Sequence, residues 1–422
     1  MGQPMPASND ATRKPRGRRL WFDLHSWVGL KLCVLMAFVC LTGTLAVLAH
    51  EIDWLLHPPM RVEPAPTHAS WGAVLAAART AHPDWRIDFA EAPEGPRFAA
   101  RVRVTTPDGQ RRFVWVDPYR GTVTGDTAFF NVHRFLRNTH RHLMLPLYIG
   151  LPLVAALSIP LAISLLSSLY IYRHWWRGFF VRPRGDRPRR WWGDIHRLAG
   201  VWSLGFVALI ALTGTWYLVE ALGGGARLPS LPEPERLAIA ETPIDASPAA
   251  IDRAVAEARR RWPAFEIRQV FPWSADGLLL LRGQAEAVLV RPRANVIAFD
   301  ATDGHWLGHN EARDMGVHQR IAEMADPLHF GNFGGLPVKL VWFAFGALLT
   351  TLSLTGAYLY GLRAADALRS ARRRDPAAAE HAGPPRPWPL AWRGMMRWRW
   401  LATGLLLACA VAWSMAGSTG AT

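Results

Sequence analysis

The sequence predicts a membrane α-helical bundle: four core spans from a tandem duplication, a fifth span at the C-terminus, and two extramembrane α+β units. Three observations predict it: several long uncharged runs, a one-sided distribution of arginine, and a helix pattern that recurs after 171 residues. Half of the 422 residues are apolar and 21 are Trp. Runs free of Asp, Glu, Lys and Arg lie at 32–50, 143–172, 198–219, 340–362 and 400–422, each near the roughly 20 residues a helix needs to cross a bilayer core. The first run is long enough to remain as an anchor, so no cleavable leader is expected.

Arginine sets the expected orientation. Arg13, Lys14, Arg16, Arg18 and Arg19 precede the first run, Arg173 to Arg190 follow the second, and Arg363 to Arg374 follow the fourth. These segments belong in the cytoplasm, which places the N-terminus inside and the two long connectors outside. The net charge of +15 is then a topology signal, and a nucleic-acid partner is excluded. Cys33, Cys40 and Cys409 all fall within apolar runs. They provide neither a disulfide framework nor a Cys-x-x-Cys-His attachment, so any haem is bound non-covalently.

The recurring pattern is "DLHSWVGLKLCVLMAFVCLTG" at 23–43 and "DIHRLAGVWSLGFVALIALTG" at 194–214. His25 is followed by Gly29 and Gly43 as His196 is by Gly200 and Gly214. At about 100° per residue, steps of 4 and 18 both return near the starting face. A flat macrocycle held by imidazole needs bare backbone beside it, and Gly supplies that; two such helices offer two imidazoles to one iron. The competing reading makes the four glycines helix-packing points and the histidines polar caps.

In chain order, 1–19 is expected to be a disordered basic tail and 20–50 the first span. The connector 51–130 is the first α+β unit, with a helix at 71–81, strands at 97–105 and 112–116, and a closing "VDPYRGTVTG". The second span with its entry helix takes 131–173, a basic loop 174–194, and the third span 195–221. The second α+β unit takes 222–328, with a helix at 248–261, strands near 267–271, 277–282 and 287–291, and a closing "AFDATDGHWLG". The fourth span is 329–363, a linker 364–397 and the fifth span 398–417. The turns 117–121 and 300–304 match between halves. His329, in "PLHFGNFGGLP", stands at the external end of the fourth span.

The chain resembles the PepSY-associated transmembrane helix family, which includes iron-regulated inner-membrane proteins and ferric-siderophore reductases of the FoxB type. The likeness is carried by "LHSWVGL", "TGTL", "HEID", "FFNVHRFLRNTHRHLMLPLYIGLP", "DIHRLAG", "PLHFGNFGG" and "LTGAYLYGLR". Both connectors resemble PepSY domains, and the likeness spans roughly residues 18–365. It implies His140 as the counterpart of His329, with His133 its nearest rival and His50, His142, His174 and His318 further ones. Two bis-histidine haems b would follow, His25 with His196 on the cytoplasmic side and His140 with His329 on the periplasmic side. Gly43 and Gly214 would leave room for the second porphyrin. The resemblance implies a haem-dependent reductase passing electrons to a ferric-siderophore or other ferric chelate. There is no dinucleotide fingerprint, flavin domain or ATP-binding loop, so electrons would come from a quinol or a separate reductase. The rivals are a PepSY scaffold binding a peptide or protease, and a siderophore-permease accessory.

Overall fold

Uncharged runs become helices because a backbone away from water must satisfy its own hydrogen bonds. The computed structural model describes residues 16–227, 244–274, 277–375 and 383–419. The tail at 1–15 lies outside these residues, and the part expected to be disordered at 16–19 is instead the start of a helix. Three helices among the described residues are long and apolar enough to cross a membrane: Leu147–Ile171, Pro188–Gly224 and Gly335–Arg374. A fourth span forms if Gly17–Lys31 and Cys33–Val47, bent by 67°, count as one. Where the first span is expected at 20–50, the chain forms α1 (Arg16–Lys31), α2 (Cys33–Val47) and α3 (Ala49–Leu56). Beside the break, the buried Lys31 ammonium donates to the Gly394 carbonyl. The fifth expected span is a 22-residue helix, Trp398–Thr419, and it is not among those three.

Two compact units form, each with its own packing. The helical unit takes the described residues of Met1–Leu41, Ala156–Thr215 and Phe345–Ala408. Its core joins Leu161, Val207, Ala211 and Leu349. They come from α7 (Ser158–Ile171), α8 (Pro188–Val219) and α11 (Gly335–Arg374). A second cluster sets Leu30 and Cys33 against Ala391 and Met395, so the C-terminal segment packs on α1.

The sheet unit takes the described residues of Thr42–Ala155, Trp216–Ala344 and Cys409–Thr422. Helices α4 (Trp71–Ala81) and α9 (Pro248–Arg261) have the expected bounds. Each is opened by a serine, Ser70 accepting from Ala73 N–H and Ser247 from Ala250 N–H, both at 3.1 Å; such caps satisfy donors the first turn leaves unpaired. The strands are β1 (Arg86–Glu91), β2 (Ala100–Thr105), β3 (Arg111–Val116), β4 (Val123–Ala128), β6 (Glu266–Phe271), β8 (Leu278–Gln284), β9 (Asn295–Asp300) and β10 (Trp306–Asn310). The short β5 (Ile244–Asp245) and β7 (Trp273–Ser274) pair separately. The strand expected at 287–291 does not form, and β9 begins beyond it, while β1 had no counterpart in the sequence reading.

The expectation of two separate α+β units is corrected by the strand order β10-β9-β8-β6-β1-β2-β3-β4. The halves share one antiparallel sheet through Ala90 opposite Val270 and Glu91 opposite Gln269. Joining removes two edge strands that would otherwise expose unpaired backbone. One face is covered by α4 and α9, where Leu75, Ile251, Val102, Val114, Leu281 and Phe299 are buried. The opposite face carries Phe89, Arg103, Phe271 and Arg282, set by alternation along the strands.

Candidate functional site

The repeated helices α1 and α8 bring His25 and His196 together in the helical unit, their ring centres 6.4 Å apart and their planes at 79°. A metal–imidazole bond is about 2 Å and the ring centre lies about 1 Å further, so two imidazoles on one metal place their centres roughly 6 Å apart. Each ring is held from behind. His25 Nδ1 lies 3.0 Å from Ser167 Oγ and 3.2 Å from the Ser164 carbonyl, and His196 Nδ1 lies 2.8 Å from Thr355 Oγ1. A partner on one ring nitrogen fixes orientation and leaves the other for a ligand, which here is Nε2 of both rings. Both serine and threonine hydroxyls also bond carbonyls one turn earlier in their own helices, so their positions are set by α7 and α11.

Both histidines line a cavity of about 650 Å³, within the roughly 300–1,000 Å³ usual for small-molecule and cofactor sites. Its walls include Leu32, Met36, Leu161, Leu165, Val207 and Leu352, with Gly29 and Gly200 among them. A Cβ at Gly29 would meet nothing within 4 Å, and one at Gly200 would come no nearer than 3.8 Å to Leu352. Arg18, Arg189, Arg190 and Arg363 also border it. Apolar walls, paired imidazoles and guanidinium groups fit the three parts of a haem: macrocycle, iron and carboxylates.

The second pair is in the sheet unit. Helix α5 (Val132–His142) carries His140 and α10 (Val317–Phe330) carries His329; their ring centres are 6.1 Å apart with planes at 41°. Burial and the neighbouring His140 push the His329 imidazole down to about 3, so it stays neutral, as a metal ligand must. Tyr217 packs edge-on at 5.2 Å and donates to Asp326 at 2.7 Å. The start of α5 is fixed by the fully buried Asp53, whose carboxylate accepts from Val132 and His133 N–H at 2.9 Å.

Glycine roles divide differently from the expectation. A Cβ at Gly43 would stand 2.5 Å from His140 Cε1, and one at Gly214 would stand 3.0 Å from Ser158 Cβ. Gly43 thus seats the imidazole itself and Gly214 is a helix-packing point, so neither is placed as porphyrin space. The rival histidines are engaged elsewhere. His133 stacks on His50 at 4.1 Å and 25°, too close for a metal between them. His142 Nδ1 contacts the Leu145 carbonyl at 2.6 Å, and His318 Nε2 contacts the Gly224 carbonyl at 3.0 Å. His174 stands against Trp176. Among the described residues no group of three or more His, Cys, Asp and Glu could hold a metal ion; the two pairs remain. Ser167 and Thr355 were missed by sequence reasoning, because a hydroxyl residue in an apolar helix signals nothing about its partner. Thr355 had one faint mark, its place in "LTGAYLYGLR".

The family model for the PepSY-associated TM region matches residues 13–363. No curated protein matches the chain.

Proposed function

The chain belongs to the PepSY-associated TM region family, a membrane family, and on that premise we propose that it is a b-type haem oxidoreductase. It would pass electrons across a bacterial inner membrane to a ferric-siderophore or other ferric chelate in the periplasm. The observation that carries the proposal is the His25–His196 pair at ligand spacing, Nδ1 held by hydroxyls, on an apolar cavity with arginines at its border.

His25 and His196 would hold one haem iron and His140 and His329 a second. Haem supplies one-electron Fe(III)/Fe(II) chemistry when bound. The chain's own part is to orient the ligands through Ser167 and Thr355, to exclude water with leucine and methionine, and to offset carboxylates with Arg18, Arg189, Arg190 and Arg363. The arginine-rich segments support a cytoplasmic N-terminus and a periplasmic eight-stranded sheet. A ferric chelate that takes up one electron becomes ferrous, hard oxygen donors then hold the metal less tightly, and it is released for uptake. The electron donor is a quinol or a separate reductase.

An absorption spectrum of protein purified from haem-replete cells tests this. The expected result is a strong Soret band and a b-type α band on reduction, followed by reoxidation when a ferric chelate is added. A colourless preparation overturns the proposal and returns the chain to the scaffold reading; a reduced protein that ferric chelates leave unchanged removes the reductase activity.

A further inference from the structure

The sheet face that α4 and α9 leave uncovered is basic and aromatic, and it leads to the helix that carries His140. Arg103 lies over the Phe89 ring at 4.2 Å and Arg282 over the Phe271 ring at 4.4 Å, the two phenylalanines being 4.9 Å apart. Each pair comes from one half of the repeat, and they meet because β1 and β6 pair. Beside them is an open pocket of about 390 Å³ whose lining includes Arg86, Arg103, Arg111, Phe271 and Trp273. Its one carboxylate, Asp88, is bonded to both Arg86 and Arg103, so the pocket keeps an excess of positive charge.

That excess continues toward α5. The Phe129 ring has Arg111 at 5.6 Å and Arg134 at 3.8 Å. Arg134 is half-buried, and its Nε is buried without a hydrogen-bond partner. Among the described residues neither Arg111 nor Arg134 forms an ion pair with a carboxylate. Burial and the guanidinium groups of Arg137, Arg101, Arg103 and Arg111 push Arg134 down to about 10. Partly buried cations without counterions are costly, and an anionic ligand relieves the cost. Flat aromatic surfaces beside guanidinium edges suit a ligand that is itself planar and anionic.

We propose that Arg111 and Arg134, with the Arg86–Trp273 pocket, bind the ferric chelate, and that the preferred class is a trianionic tris-catecholate. The inference rests on the ferric-chelate reading above and names its substrate class. Three doubly charged catecholates leave ferric iron with a triple negative charge and aromatic faces outward. Three singly charged hydroxamates leave it neutral, with nothing for the arginines to pair.

Binding is measured on the full-length protein in detergent, from the quench of tryptophan fluorescence by ferric tris-catecholate and by a ferric tris-hydroxamate, without reductant. The expected result is tris-catecholate binding that weakens at least about tenfold in the Arg111→Gln/Arg134→Gln double variant, the loss of two charge-assisted contacts. The Arg111→Lys/Arg134→Lys variant retains most of it, and tris-hydroxamate binding does not respond to the substitutions. Equal tris-catecholate binding by parent and Gln variant, or tighter binding of the neutral chelate, overturns the proposal. Loss of a haem absorption component in the Gln variant gives these arginines to the cofactor's carboxylates and overturns it as well. The assay needs no haem, so a colourless protein that binds the trianion removes the oxidoreductase reading alone, whereas a coloured protein that ignores the trianion removes only this site.

Discussion

The two histidine pairs have nearly the same ring spacing, 6.4 Å and 6.1 Å, and are built in opposite ways. In the helical unit, His25 and His196 are held by side chains, Ser167 and Thr355, and glycine is left to line open space. In the sheet unit, His140 lies against the bare backbone of Gly43, and its helix is fixed at its start by the carboxylate of Asp53. Even the repeated Asp before each first-unit histidine differs: Asp194 is buried and paired with Arg184 and Arg197, while Asp23 is exposed beside Arg19 at 4.0 Å. Nearly one ring spacing is thus reached by two kinds of support, hydroxyl side chains in the helical unit and bare backbone in the sheet unit, so each pair is open to a different perturbation.

The largest effect is expected from removing a proposed haem ligand. His196→Ala should lower haem content from two per chain to one and abolish one spectral component; two components in the variant would break the assignment. Gly43→Leu comes next, because a Cβ there would already stand 2.5 Å from the His140 ring. The His140–His329 component should be lost with the other intact, whereas Gly29→Ala, with open space around it, should keep both. A Gly43→Leu protein with two normal components would show that the backbone seat is dispensable.

Thr355→Val sharpens the comparison from the other side. Losing the hydroxyl behind His196 should weaken haem retention in that pair by about 10- to 100-fold, read by competition with an apo-haem acceptor. The same substitution should not move the second component, and equal weakening of both would mean that the pairs are not independently supported. Asp53→Ala, which leaves the Val132 and His133 N–H groups at the start of α5 without their acceptor, should cost about 1–2 kcal/mol, measurable as a lower thermal midpoint of the sheet unit. The smallest effect is expected of His133→Phe: a stacked ring replaces a stacked ring, and both haem components persist. Loss of either one would reinstate His133 as a ligand.

The sequence by itself determined three long apolar helices, the duplication, α4 and α9 to the residue, and the histidines and glycines worth comparing, because these depend on local periodicity, capping and composition. It did not show the 67° bend, nor that Lys31 beside the break meets the Gly394 carbonyl, far along the chain. Nor could it choose between His140 and His133, seven residues apart on one helix; that choice depends on whether the opposite ring stands at stacking or ligand distance. Only the tertiary structure decided that Gly43 seats an imidazole, that Ser167 and Thr355 stand behind His25 and His196, and that two expected sheets are one. Each of these is a contact between segments distant in the chain, and such contacts are settled by packing geometry, to which a periodic pattern of residue types is blind.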